Sequence, residues 1–324
     1  MNFTRALAKR IGFGLLLLFA VLILNFTLIS LAPGDIADTI AGVMGGADAQ
    51  VLEEIRARYG LDQPFYVQLW RYLSAVAALD LGYSYYFDTP VTTLILEKLP
   101  ATLLLVFSAQ ITAIVTGTLL GVLAAKKPGG AVSLTVTFLS LFGFAAPVFW
   151  TGILLIILFV SVFPVFPVGG MFDVTVEGGW LVQSLDVLRH LCLPMLTLAS
   201  VFLALYSRHA RASMLEVLGA DYIRTARAKG VPERRVLYRH ALKNALGPVV
   251  TVAGLQFSAV ISGAVVVETV FSWPGLGTLA LQSILARDTP TILGILFFSS
   301  LVVIAFNILT DIALRALDPR IKSG

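Results

Sequence analysis

Charge, cysteine and histidine are scarce in this chain of 324 residues. Only 13% of it is Asp, Glu, Lys or Arg, and it has one cysteine and three histidines. A soluble domain usually carries about twice that charge fraction. Cys192 has no partner for an internal disulfide and lies in an apolar run, so it reads as a small buried hydrophobe. His190, His209 and His240 are scattered without metal-ligand spacing, which leaves no metal site to expect. No Gly-Lys dipeptide occurs, so the G-x-x-x-x-G-K-[ST] phosphate loop is excluded and any ATP would be held by another polypeptide. No clustered nucleophile, acid/base pair or metal set points to an enzyme. No cofactor is expected in the chain itself.

What is present is apolar. The chain is 58% hydrophobic with a mean hydropathy of +0.90, and its long uncharged runs predict an all-α polytopic membrane protein. The runs are Ile11–Ala32, Ala101–Ala125, Ala131–Phe163, Leu191–Tyr206, Val249–Val267 and Thr291–Thr310. The first follows Arg5, Lys9 and Arg10 and exceeds the ~7–15 residues of a signal-peptide core, so it reads as an uncleaved first span. Ala131–Phe163 would reach ~50 Å as straight helix, too long for one crossing and too short for two plus a turn. It reads as one crossing kinked at Pro147.

With six spans, the segments 1–10, 126–130, 207–248 and 311–324 share one side. They hold 3, 2, 9 and 3 of the 23 Lys and Arg. The opposite side holds most of the acids, including Asp35, Asp38, Asp48, Glu53, Glu54 and Asp62. The positive-inside rule then places both termini in the cytoplasm. Burying the nine cations of 207–248 in lipid would cost over ~20 kcal/mol, so that segment is a loop. Between their ends the spans contain no Asp, Glu, Lys, Arg or His. That argues against proton coupling, while a gradient-driven transporter using carbonyls and hydroxyls, or a channel, stays open as the alternative. Glu268, the acid nearest a membrane interior, sits at a span's outer end. A solvated position or a bond to a neighbouring helix is expected for it.

The basic loop has a shape. Asp221 suits a helix N-terminus, Arg227 and Lys229 a C-terminus, and Gly230 a stop. Pro232 and Glu233 open a second helix that leads into the next span. Tyr222, Ile223 and Ala226 share a face of the first helix, an apolar patch that could dock into a groove. On the second helix Arg235, Arg239 and Lys243 stack at i, i+4, i+8, with His240 and Asn244 beside them. Such a stripe is tolerable if lipid headgroups or an acidic partner face it. The basic residues lack interleaved aromatics beyond Tyr222 and Tyr238, which argues against nucleic acid. Past the fifth span, Trp273, Pro274, Gly275 and Gly277 predict a sharp turn, with the indole suited to a membrane interface. The external segment Pro33–Pro100 is too short for a confident core of its own, and its helical patches Val51–Tyr59 and Phe65–Leu79 are expected to pack on the membrane domain.

The stretch "DYIRTARAKGVPERRVLYRHALKNALGPVVT" resembles the cytoplasmic Glu-Ala-Ala loop of bacterial ABC importer permeases, in the form found in dipeptide, oligopeptide and nickel systems. Arg224, Thr225 and Ala226 occupy the first three motif positions and Gly230 the last, so the motif's Glu is absent. "LAPGD", the stretch Gly60–Leu103 and "VVVETVFSWPGLGTLALQSILARDTP" are similar to the same family, in its first permease subunit. The resemblance implies a type I importer permease fold (MetI-like) with six transmembrane helices, in the bacterial inner membrane. The expected organisation is a first helix and external segment over 1–100, a transmembrane core over 101–314 and a tail over 315–324. The implied partners are a second homologous permease, two cytoplasmic ATPase subunits carrying ATP and Mg, and a periplasmic or lipid-anchored substrate-binding protein. The implied coupling element is Asp221, Tyr222, Ile223, Arg224, Thr225, Ala226, Arg227, Ala228, Lys229 and Gly230. Gating or receptor docking by the Trp273 turn is a further implication.

Overall fold

The computed structural model describes residues 3–31, 37 and 49–317. Most of "LAPGD", Asp38, Asp48 and the tail from residue 318 lie outside the described residues. The order is α1 (Phe3–Ser30), α2 (Ala49–Tyr59), α3 (Phe65–Ala77), a hairpin of β1 (Tyr83–Ser84) and β2 (Thr89–Pro90), α4 (Val91–Lys126), α5 (Ala131–Ala145) and α6 (Val148–Ile156, continued by a π turn, Ile157–Val162). Then follow α7 (Trp180–Leu218), α8 (Asp221–Ala228), α9 (Glu233–Val270), α10 (Leu276–Leu285) and α11 (Thr289–Leu317).

Among the described residues five helices, α1, α4, α7, α9 and α11, contain unbroken segments long and apolar enough to cross a membrane. The sixth crossing expected over 131–163 is divided rather than kinked. Pro147 disfavours helical backbone at the residue before it, so α5 stops at Ala145 and α6 restarts after the proline. Helix ends also overrun the apolar runs. α4 begins at Val91 and takes Pro100 inside it, ten residues before the expected start. α7 runs from Trp180 through Pro194 to Leu218, so the helix continues through residues 207–218, past the end of the apolar run. Hydropathy marks where lipid begins, whereas backbone bonding and packing extend helices past it. The small β-hairpin, pairing Tyr83 with Pro90 and Ser84 with Thr89, had no signal in the sequence.

The chain divides into two compact units, residues 1–102 with 274–305 and residues 103–273 with 306–324. In the first, Val91, Leu94, Ile95, Leu276, Leu279 and Ile295 form one core cluster, and Leu22, Val76 and Phe297 another. So α3, from the external segment, packs on membrane helices as expected. Asp288, nearly fully buried, accepts bonds from Ser84 Oγ at 2.5 Å and Thr291 Oγ1 at 2.6 Å, which ties the hairpin to the start of α11. The second unit is centred on α7, which packs against α5, α6 and α9. Gly117 and Gly121 of α4 lie against it so closely that a Cβ on Gly121 would stand 2.7 Å from Ser207 O and 2.6 Å from Ala210 Cβ. Gln110 Nε2 donates to Tyr206 Oη at 2.9 Å and to Ala253 O at 3.2 Å, joining α4, α7 and α9 by a buried polar node. Phe257 and Phe306 stack with centroids 3.4 Å apart.

Candidate functional site

The segment following α7 is built by local chemistry first. Gly219 ends α7, and Ala220 in extended backbone opens α8 with Asp221 in its first turn, where an acid suits the helix dipole. The eight residues of α8 stop at Lys229, and Gly230 has φ +75°. Val231 N donates to Ala226 O and Gly230 N to Arg227 O, the paired bonds of a Schellman cap. Glycine takes that left-handed backbone without Cβ strain. Pro232 in extended backbone then precedes Glu233, where α9 begins, and a π turn occupies Val236–Ala241 before the α-helix resumes at Leu242.

Packing corrects the expected use of the apolar face. Ile223 is fully buried in a cluster with Val122, Ala125, Met214, Val236, Leu237, Ala241 and Ala245, with Ala226 and Val231 packed against it. The groove that receives this face belongs to the chain itself. Tyr222 is exposed and its hydroxyl accepts a bond from Asn244 Nδ2 at 2.9 Å, so it links α8 to α9. The surface left open on α8 and its cap is Asp221, Tyr222, Arg224, Thr225, Arg227, Ala228 and Lys229.

An exposed ion pair spans the hinge. Arg227 donates Nε to Glu233 Oε2 at 3.1 Å and Nη2 to Oε1 at 2.8 Å, a two-pronged bond across Gly230. The guanidinium beside it holds the Glu233 carboxyl below its ordinary range, and the carboxylate in turn raises Arg227. Arg224 pairs more loosely with Asp221 at 3.5 Å, both exposed. On α9 the residues Arg234, Arg235, Tyr238, Arg239, Lys243 and Asn244 are exposed, His240 is half-buried, and Val236, Leu237, Ala241 and Ala245 point inward. The expected stripe of Arg235, Arg239 and Lys243 therefore lies on one open face.

Trp273 is fully buried rather than at an interface. Glu268 is fully buried, which excludes the solvated one of its two expected placements. Trp273 N donates to Glu268 O and Ser272 N to Thr269 O, with Ser272 at φ +50°. That is the same cap geometry as at Gly230, closed by a serine. Gly275 opens α10, and Gly277 is buried within its first turn. Pro274 is half-buried. Cys192 is half-buried and free. His190 pairs with Asp186 at 3.3 Å. Among the described residues no group of three or more His, Cys, Asp or Glu is arranged to hold a metal. Sequence reasoning missed the Gln110–Tyr206 node and the Asp288 node, because single polar residues in apolar runs carry no spacing signal.

Residues 117–323 match the family described as binding-protein-dependent transport system inner membrane component, and residues 3–106 match its N-terminal companion. The oligopeptide transport system permease protein AppB of Bacillus subtilis is 40% identical over 308 residues, covering 94% of this chain and 95% of that protein. The di/tripeptide transport system permease protein of Pseudomonas aeruginosa is 39% identical, with 98% of each chain covered. The glutathione transport system permease protein of Escherichia coli is 40% identical, with 94% of each covered. A chain of the MetNI methionine ABC transporter in an inward-facing conformation shares the fold, with a TM-score of 0.57 at 17% identity over 71% of this chain and 98% of that one. Family matches along nearly the whole length and relatives near 40% identity lead to one conclusion: the chain belongs to the inner membrane components of binding-protein-dependent transport systems, as a permease subunit of an ABC importer.

Proposed function

We propose that this permease carries small peptides or close analogues, and that α8 is the lever by which cytoplasmic ATPase subunits move it. The cargo class is supported by the relatives, which are named for oligopeptides, di/tripeptides and glutathione. The uncharged spans suit a pathway that releases cargo rather than gripping it, so selectivity falls mostly to a substrate-binding protein outside the membrane. A second homologous permease completes the pathway and two ATPase subunits drive it. With the basic segments inside, both termini and α8 face the cytoplasm.

The observation that carries the lever is the burial of Ile223 together with the Arg227–Glu233 bridge. A short helix clamped at its base to α4, α7 and α9, and open on its outer face, passes a push to the membrane helices instead of absorbing it. ATP-driven closure of the ATPases would move α8, and the attached spans would open the pathway outward. Hydrolysis would reset it. The test is Gly230→Val in the purified importer: membrane insertion persists, while ATPase association or cargo-stimulated hydrolysis falls. Full coupling in that variant would refute the assignment.

A further inference from the structure

Helix α3, in the external segment, turns three different faces to three different surroundings. It follows Pro64 directly and runs thirteen residues, which a helix distributes around its axis at about 100° each. Phe65, Tyr72 and Val76 fall on one arc. The rings of Phe65 and Tyr72 stand 5.7 Å and 5.1 Å, centroid to centroid, from Phe26 of α1. Val76 is buried with Leu22 of α1 and Phe297 of α11. Gln68 and Arg71 form a second arc, turned to the loop before the helix. Gln68 Nε2 donates to Leu61 O at 3.0 Å and to Gln63 O at 2.8 Å, and Arg71 lies over Gly60, where a Cβ would meet its guanidinium. The third arc holds Tyr66, Trp70 and Ala77 and is open. Tyr66 and Trp70 sit one turn apart and are each 72% exposed. Ser74, at the edge of this arc, turns its hydroxyl back to Arg71 O, so the open face carries no charge.

The neighbours of α3 fix its level. Phe26 lies in the outer third of the apolar run 11–32 and Leu22 near its middle, both on the far side from Arg5, Lys9 and Arg10. Along the same face of α1, Phe19 and Leu15 follow about 5–10 Å further inward, and both are exposed. On a membrane span such side chains are met by acyl chains. The strip of α1 that α3 covers therefore continues directly into a lipid-wetted strip, which places α3 level with the outer leaflet.

The chemistry of the open arc fits that level. Tyrosine and tryptophan gather where bilayer meets water, because each joins a large apolar ring to one O–H or N–H that needs a partner. An amphipathic helix lying in this layer sinks its apolar side ~5–10 Å into the boundary between headgroups and acyl chains. Two such rings side by side on a charge-free face suit this layer better than open water, where contiguous apolar patches are uncommon.

We infer that α3 is an interfacial helix whose Tyr66–Trp70 face is set into the outer leaflet of the bilayer, as a lipid contact separate from the spans. The indole N–H and the phenol O–H point to the glycerol and carbonyl layer, and the rings displace acyl chains. The contact holds the external segment at a fixed height. Leu81, four residues beyond α3, packs against both core clusters, and Ser84 bonds Asp288 just before α11, so a short stretch of chain links the lipid-held helix to the hairpin. Neither the cargo nor the ATPase reading enters this inference.

The experiment takes the permease assembled with its partner permease in phosphatidylcholine nanodiscs. Tryptophan emission is compared with that of Trp70→Phe, and the difference is the Trp70 signal. That signal is expected to be quenched by lipid brominated just below the glycerol, less by lipid brominated near the chain end, and hardly at all by aqueous iodide. Quenching by iodide and not by brominated lipid would overturn the inference and give the face to water or to a soluble binding protein. Quenching by neither would overturn it too, because protein would then cover the face. A second route keeps both rings in place, should Trp70→Phe insert poorly. A nitroxide on Ala77→Cys, in a Cys192→Ala background, is expected to be reached by oxygen in preference to a water-soluble nickel chelate. On Asp62→Cys, exposed in the loop before α3, the preference should reverse. Equal preference for the chelate at both positions would place the open arc in water and sink the inference.

Discussion

Gly230 and Ser272 hold the same backbone conformation with opposite expectations. Both close a helix through a left-handed residue, and only one is glycine. A Cβ on Gly230 would meet nothing within 4 Å, so replacing it costs backbone strain and not collision. That strain is roughly 1–2 kcal/mol for an L-residue. Ser272 already bears such strain, so Ser272→Gly should stabilise the solubilised protein by up to about 1 kcal/mol after the entropy of the added glycine is subtracted, read as a higher melting temperature. A lower melting temperature would show that the serine side chain outweighs the strain. At the same scale sits Arg227–Glu233, worth only ~0.2–1 kcal/mol because both groups are half in water. Glu233 has its pKa depressed by Arg227, so the bridge is intact above its ordinary value of 4.5 and is lost as pH falls through the lowered value. Hydrogen exchange at the amides of Lys229, Gly230, Val231 and Glu233 should therefore stay slow from pH 8 to pH 5 (once corrected for intrinsic rates) and quicken only in stronger acid. In Arg227→Gln it should be quick throughout.

Between helices the decisive contacts are small or polar. Gly121 on α4 faces backbone of α7, which cannot step aside as a flexible side chain could. Gly121→Ala should force α4 and α7 apart and lower the yield of folded protein, whereas Gly247→Ala, with nothing within 4 Å, should be tolerated. Size-exclusion and melting profiles of the two variants check this. The Gln110–Tyr206 node is the polar counterpart. Tyr206→Phe removes the hydroxyl that Gln110 Nε2 bonds, leaving the amide Ala253 O alone. A loss of about 0.6–1.7 kcal/mol is expected, the range for hydrogen bonds between membrane helices. A melting temperature equal to the wild type would mean that the amide finds another partner. The apolar face of α8 shows how far such packing could be read beforehand. Its residues were identifiable by helical spacing, but an apolar stripe states only that something covers it. The cover turned out to be Val236, Leu237 and Met214, which are remote from Ile223 in space until α7 and α9 are laid beside it.

For the molecule as a whole, the basic segments and the external loops should lie on opposite sides of the membrane. A cysteine placed at Val174, 85% exposed, should react with an impermeant thiol reagent in intact cells, and one at Lys229 only after the cells are opened. The reverse pattern would invert the topology and move α8 to the wrong side for an ATPase. As a permease the chain presents long faces of Leu, Phe and Val, such as Leu15, Leu16 and Leu24 of α1, that in water would drive aggregation and in a bilayer are simply wetted by lipid.

Which segments are apolar, which side is basic, where α8 stops and where Pro147 interrupts a helix are all settled by residues acting on their own backbone or on the solvent around them. Those effects are local, so they can be read from a string of letters: glycine permits a positive φ, proline forbids the helical backbone before it, and charge stays out of lipid. The burial of Trp273, Glu268 and Ile223, the length of α7 and the paired nodes at Gln110 and Asp288 could not be read that way. Each depends on what stands opposite, and the opposing groups are far away in sequence: 96 residues between Gln110 and Tyr206, 204 between Ser84 and Asp288. Close packing and the need to pair every buried polar group act between surfaces, and only the folded chain brings those surfaces together.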